Sequence, residues 1–371
     1  MKESTLLTAV ALLAWILPDS ASGDQELAQR RLQECEESWT TRKLGERTAA
    51  RRAEAIEKLR KQRRQRRLEA SKYHSTTSVN VTTTGADLFG SNTFTTVLPE
   101  VIRGPYSIRG NLVRDDMRED QKGVDMHINV QVIDVSSCGP VEGMHVEFQH
   151  ANATGVTSGV VVIMNGDSGD MSNLDATFLR GATPTDADGV ARMLSIFPGH
   201  EFGRATHLHF IGNYGGEVLA NKSYVGGSFS HVAQLFFDQE LVTSVEALEL
   251  YSVNIEPISL NKDDYVFQQA VANGDDPVMI YALLGDSVAD GLFVWISVAV
   301  NLSVEHDPMA SALNSSTSSM STSGSSVGES AASIATATSN IASTTCKGGV
   351  FVTLIIAVFA LIFQELSHTL K

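Results

Sequence analysis

The sequence predicts an all-β body preceded by a helical arm, and three observations carry that prediction. Period-two alternation of apolar residues recurs along the chain, short apolar runs are separated by Gly, Asp and Asn turns, and helix-period patterns are scarce after residue 75. Short strands that each bury a face pair and close into a β-sandwich or barrel. The clearest strand is VDMHINVQVIDV, where Val124, Met126, Ile128, Val130 and Val132 share one side, so one buried face is expected. MHVEFQHA alternates through Met144, Val146 and Phe148, and VARMLSIF follows the DADG turn that ends at Gly189. THLHF follows the turn PGHEFG, and AQLFF, VMIYALL and LFVWISVAVN add further runs. The body, residues 73–305, is long enough for one domain with a sizeable core.

Residues 24–72 read differently. They are rich in Ala, Glu, Arg, Lys and Leu, lack Pro, and place Leu44, Ala49, Ile56 and Leu59 near helical spacing, which predicts a basic helix with a thin apolar stripe. The segment is a proregion or docking arm, RQRR ending at Arg67 resembling a processing site, or else a solvated charged helix. Its net charge is about +6 against about −22 for residues 73–345. So acidic a body argues against nucleic acid and anionic lipid as partners.

The ends address the chain. Residues 1–23 hold one Lys, an apolar run from about Leu6 to Leu17 and small residues from Ser20 to Gly23, the pattern of a signal peptide, with a retained anchor as the alternative. Residues 306–345 are a stalk, mostly Ser, Thr, Ala and Gly from Ser311 onward, without the apolar residues that offset ordering entropy. In 346–371, VFVTLIIAVFALIF is short against the ~20 residues of a membrane span and suits a GPI signal, with a short transmembrane tail as the alternative. Either way the protein is expected on the outer cell surface, membrane-attached. Asn-x-Ser/Thr sequons stand at Asn80, Asn152, Asn221, Asn301 and Asn314 as glycosylation candidates. Of three Cys, Cys346 would leave with a cleaved tail, and Cys35 with Cys138 are expected to pair, or to stay as buried thiols.

The chemistry-bearing stretch is FPGHEFGRATHLHF. Residues i and i+2 of a strand share a face, so His207 and His209 present two imidazoles side by side, a donor pair suited to zinc, copper or iron. His127, His145 and His150 lie on alternating strands and read as face or core residues; His200 is a candidate for supporting a ligand.

The stretch TFLRGATPTDADGVARMLSIFPGHEFGRATHLHF resembles the centre of the intradiol ring-cleavage dioxygenases, in particular their secreted fungal-type branch. The likeness extends to LPEVIRGPYSIRGNLVRDDMRED, VQVIDVSSCGPVEGMHVEFQHANATGV and VAQLFFDQEL, and covers roughly 97–302; the arm with Cys35 is also similar. The resemblance implies an intradiol-dioxygenase-like β-sandwich holding Fe(III) through two Tyr phenolates and two His, acting on catechol-type aromatics with O2. The family's His pair falls on His207 and His209, and the Arg that stabilises charge on the substrate on Arg204. Its two Tyr positions fall on Thr157 and Glu201, and Gln149 stands where Trp is usual.

With both phenolates replaced, two His hold ferric ion poorly, because the hard anions that favour that state are gone. Tyr106, Tyr214 or Tyr224 could substitute for them. Glu201 with His207 and His209 could form a two-His, one-carboxylate site for Fe(II) or zinc, or Glu201 is a surface acid and no metal binds. The expectation is thus a cell-surface dioxygenase-like protein with a degraded metal site; the alternative is a non-catalytic surface or wall-associated protein that keeps only the fold.

Overall fold

In a computed structural model, residues 27–35, 43–71, 95–96, 111–161, 165–166, 169–272 and 274–303 are described. The chain divides into two units, Met1–Met320 and Ser321–Lys371, and the second lies outside the described residues. So do the segments expected to be a signal peptide, a stalk and a membrane-attaching tail, and Tyr106, Asn80 and Asn314. Among the described residues no helix is long and apolar enough to cross a membrane.

The body is mostly sheet, as the alternation requires. Among the described residues ten strands form: β1 (Thr95–Thr96), β2 (Asp125–Asp134), β3 (Gly139–Pro140), β4 (His145–Gln149), β5 (Arg180–Pro184), β6 (Val190–Ile196), β7 (His207–Val218), β8 (Tyr224–Phe237), β9 (Val278–Leu283) and β10 (Leu292–Val300). They pair in the order β3-β2-β10-β9-β8-β7-β4-β5, with β1 on β10 and β6 on β2. Strands β10 and β2 run parallel, as do β8 and β9, while β4, β5, β7 and β8 form an antiparallel block. One apolar cluster takes Met126, Ile128 and Val130 from β2, Val146 and Phe148 from β4, Leu208 and Phe210 from β7, Leu235 from β8 and Val294 from β10. Tyr251 joins it and bonds to the adjoining ends of β2 and β6, its hydroxyl donating to the Phe197 carbonyl (2.8 Å) and accepting from the Val124 amide (3.0 Å).

One expectation for β2 is corrected. Its polar side was to face solvent, yet Asn129, Gln131 and Ile133 are buried along with the apolar side. The cause is the arm. The helix Leu44–Ser71 lies over this face, with Thr48 Oγ1 donating to Gln131 Oε1 (3.2 Å). The buried Arg52 guanidinium donates to Asn129 Oδ1, the Ile296 carbonyl and Ser297 Oγ. Ile56 is fully buried against Ala282, Leu284, Phe293 and Trp295. Further along, Arg60 donates to the Leu283 carbonyl and Arg63 meets Asp290 (3.5 Å), while Arg51 pairs with Asp188 (2.5 Å). The opposite charges of arm and body thus meet in defined contacts, and the arm is docked rather than solvated. A helix at 27–35 precedes it, and the Cys35–Cys138 disulfide closes across 103 residues of sequence.

Candidate functional site

Strand β7 starts at His207, and its neighbours set what surrounds the His pair. His207 lies opposite Phe236 on β8, and His209 lies between Gln234 on β8 and Gln149 on β4. The i, i+2 geometry turns both imidazoles to one side, and their Nε2 atoms stand 3.1 Å apart. His207 Nδ1–H donates to the Ala205 carbonyl (2.8 Å), so its Nε2 carries the lone pair. Both rings are buried, which favours the neutral form: the His207 pKa is held down to about 3 by burial and by the Arg204 charge, and that of His209 lies well below its usual value. Two neutral nitrogens aimed at one point are metal-ligand donors.

Glu201 reaches this point from the turn before β7. Gly199 makes the turn possible: a Cβ there would sit 2.5 Å from the Asn152 carbonyl oxygen and 2.6 Å from that of Ala153. Glu201 is 7 % exposed, which contradicts a surface acid, and burial pushes its pKa up. Its Oε1 accepts from Thr157 Oγ1 at 2.5 Å, and its Oε2 stands 3.7 Å from His207 Nε2. The two positions that carry Tyr in the resemblance therefore bond to each other here. Thr157 is itself fixed, its amide donating to Asn165 Oδ1 (2.6 Å) and its carbonyl accepting from Asn165 and Asn173.

The cations nearby are engaged. Arg204 donates through Nε to Asp264 Oδ2 (2.8 Å) and through Nη2 to Gln234 Oε1. Asp264 is buried and accepts from the Ala205, Val266 and Phe267 amides as well, so it caps the helix Tyr265–Ala272 while holding Arg204. Arg180, fully enclosed, donates to Gln149 Oε1 (2.7 Å) and the Ser158 carbonyl (2.8 Å). Gln149, in the place of Trp, is thus the link between Arg180 and the strand that flanks His209.

The other four His that the sequence singled out have defined surroundings. His150 is a core residue, its Nδ1–H donating to the Ala151 carbonyl and its Nε2 accepting from Ser195 Oγ, both at 2.7 Å. His145 stacks on Tyr224, and His127 is half-buried on β2. His200 faces two acceptors, Glu246 Oε1 and the Glu256 carbonyl, both at 2.8 Å; burial opposes its charge, but these partners outweigh it and raise its pKa. It braces the turn that presents Glu201.

The donor set does not match the ferric site of the resemblance. Among the described residues no Tyr hydroxyl bonds to His207, His209 or Glu201: Tyr214 is half-exposed, Tyr224 accepts from the Gly216 amide, and Tyr251 is bound to Val124 and Phe197. Nor do the described residues include three His, Cys, Asp or Glu side chains already gathered on one ion-sized point. The His pair alone is set at a spacing that two nitrogens sharing an ion at about 2.1 Å can take. The Glu201 oxygen stands outside that spacing by less than an ångström, a displacement on the order of one side-chain adjustment. Two imidazoles and one carboxylate suit a divalent ion better than Fe(III).

Sequence reading missed Arg180, Ser158, Asn165, Gln234 and Asp264. Gln234 had a signal, a polar residue inside the apolar run VAQLFF, and Asp264 another, an Asp before a helical stretch.

No family model matches the chain, and no curated protein matches it. Among solved structures it is similar to an intradiol ring-cleavage dioxygenase from Tetranychus urticae, at 23% identity and a TM-score of 0.47, over 57% of this chain and 98% of that one. It is also similar to the dioxygenase domain of a dioxygenase carbohydrate-binding protein fusion from Streptomyces sp. SirexAA-E, at 20% identity and a TM-score of 0.37, over 55% and 98%. A third likeness is to catechol 1,2-dioxygenase from Pseudomonas arvilla C-1, at 20% identity and a TM-score of 0.35, over 56% and 62%.

Proposed function

We propose that this chain is a surface-held β-sandwich of the intradiol ring-cleavage dioxygenase type, acting with O2 on catechol-type aromatics, and that Glu201 replaces the lost phenolates beside His207 and His209. One observation carries the reading: the paired Nε2 atoms of His207 and His209 stand 3.1 Å apart with a buried carboxylate oxygen 3.7 Å from the first. Burying two imidazoles whose facing nitrogens meet only each other, with a carboxylate oxygen beside them, has an energetic penalty that a shared cation offsets. When bound, a divalent ion such as Fe(II) or zinc supplies Lewis acidity, and iron adds a redox couple.

The chain's own groups do the rest. The Ala205 carbonyl sets the tautomer of His207, Thr157 orients the Glu201 carboxylate by occupying its Oε1, and Arg204, held by Asp264 and Gln234, places a cation beside the His pair. The secretory route rests on the leader pattern and is supported by the Cys35–Cys138 disulfide, a bond that persists in oxidising compartments. Attachment through residues 346–371, by a GPI-type anchor or a short span, belongs to the same reading.

The test is metal analysis of the full secreted protein. About one equivalent of divalent metal is expected, with no visible phenolate-to-iron band, weaker binding by about 10–100-fold in Glu201→Gln, and loss of binding in the double variant His207→Ala, His209→Ala. Oxygen uptake with catechol should follow the metal. A folded protein that takes up no metal ends the reading and leaves the non-catalytic surface protein in its place.

A further inference from the structure

Three sequons lie within the described residues, and locally they are alike. In each, the Asn side-chain oxygen accepts from the amide and the hydroxyl two residues on: Asn152 from Thr154 (3.0 and 2.9 Å), Asn221 from Ser223 (3.1 and 2.7 Å), Asn301 from Ser303 (3.2 and 2.6 Å). The motif and its turn therefore do not distinguish them. What differs is the nitrogen, the atom that a glycan must join.

Asn152 Nδ2 is committed, donating to Gln121 Oε1 at 3.0 Å, and the side chain is half-buried. Its backbone is committed too, since its carbonyl accepts from the Gly199 amide in the turn that carries Glu201. Asn301 Nδ2 is enclosed by protein, with no surface open to solvent and no hydrogen-bond partner among the described residues. A sugar on either would displace packed atoms. Asn221 is exposed, at the tight end of the β7–β8 hairpin where Leu219 N–H bonds to the Ser223 carbonyl, and among the described residues its Nδ2 has no hydrogen-bond partner. Next to it, Val218 and Leu219 are 46% and 40% exposed, apolar surface at the tip that a glycan there would screen.

We infer that Asn221 is an N-glycosylation site of the folded protein, and that Asn152 and Asn301 stay bare. The inference rests on the secretory part of the proposed function. In the transfer, a bond forms between Asn221 Nδ2 and the anomeric carbon of a lipid-pyrophosphate-linked oligosaccharide. The anomeric carbon–oxygen bond to the pyrophosphate breaks, the lipid pyrophosphate leaves with the electron pair, and one amide proton passes to a base of the transferase.

Site-resolved mass spectrometry of the full chain, secreted from a eukaryotic host, tests this. A glycan on the Asn221 peptide is expected, absent in Asn221→Gln, with unmodified Asn152 and Asn301 peptides. A secreted, disulfide-bonded chain with a bare Asn221, or with sugar on Asn152 or Asn301, overturns the inference alone. A chain retained in the cytosol with reduced Cys35 and Cys138 overturns it together with the secretory reading.

Discussion

Replacing Ile56 by Ala separates a docked arm from a solvated one by the sign of its effect. Ile56 has no exposed surface and packs on Ala282, Leu284, Phe293 and Trp295, with Ala55 and Leu59 at the margin of the cluster. Truncating a buried Ile removes its transfer free energy and leaves a partly filled cavity, a loss of about 2–4 kcal/mol at such a site. In a solvated helix the same change would be stabilising by a few tenths of a kcal/mol, up to about 0.5, because Ala is the better helix former. With a urea dependence of about 2–3 kcal/mol per molar, docking predicts a midpoint lower by about 1 M. Trp295 lies in the contact, so its emission should shift in the same transition. An unchanged or raised midpoint in Ile56→Ala would refute the docking energetics.

Three further outcomes are expected. Replacing Cys35 and Cys138 by Ser should lower stability by about 2–5 kcal/mol, measured by urea unfolding without reductant, and a loss below about 1 kcal/mol would contradict a cross-link that restricts the unfolded chain across 103 residues. Asp264→Ala strips Arg204 of its partner and uncaps a helix, a loss of about 3 kcal/mol; a change under about 1 kcal/mol would mean that the pair is replaced by solvent without penalty. For His150, whose pKa burial holds down to about 4, the folded ring stays neutral while the unfolded chain takes up a proton near 6.5. Its contribution is complete above pH 6.5 and falls by about 1.4 kcal/mol per pH unit on acidification towards 4. The stability gap between wild type and His150→Gln should therefore narrow by about 2 kcal/mol from pH 7.5 to pH 5, and a gap independent of pH would contradict a neutral buried ring.

Much of the architecture was legible in order of residues alone. Alternation located β2 and β4, and apolar runs after turns located β6 and β7, because period two and turn chemistry are local properties of the chain. The same rule placed His207 and His209 on one side of a strand, and helical spacing with basic composition marked the arm, formed as Leu44–Ser71. The site's remaining members were not legible, for a physical reason: their partners are chosen by packing across long separations, and spacing in sequence carries no trace of that.

What the sequence determined by itself is the set of elements and the chemistry each can offer: strands, a basic helix, an imidazole pair, five acceptor sequons. Only the tertiary structure decided which of these meet. It buried the polar side of β2 by laying Thr48 and Arg52 over it, and it joined Thr157 to Glu201 across 44 residues. It bound Arg204 to Asp264 across 60 residues, and it left one of three equivalent asparagine nitrogens open. Local periodicity reports which way a side chain points along its own element; burial, and with it protonation, pairing and access, depends on what the rest of the chain brings to that side.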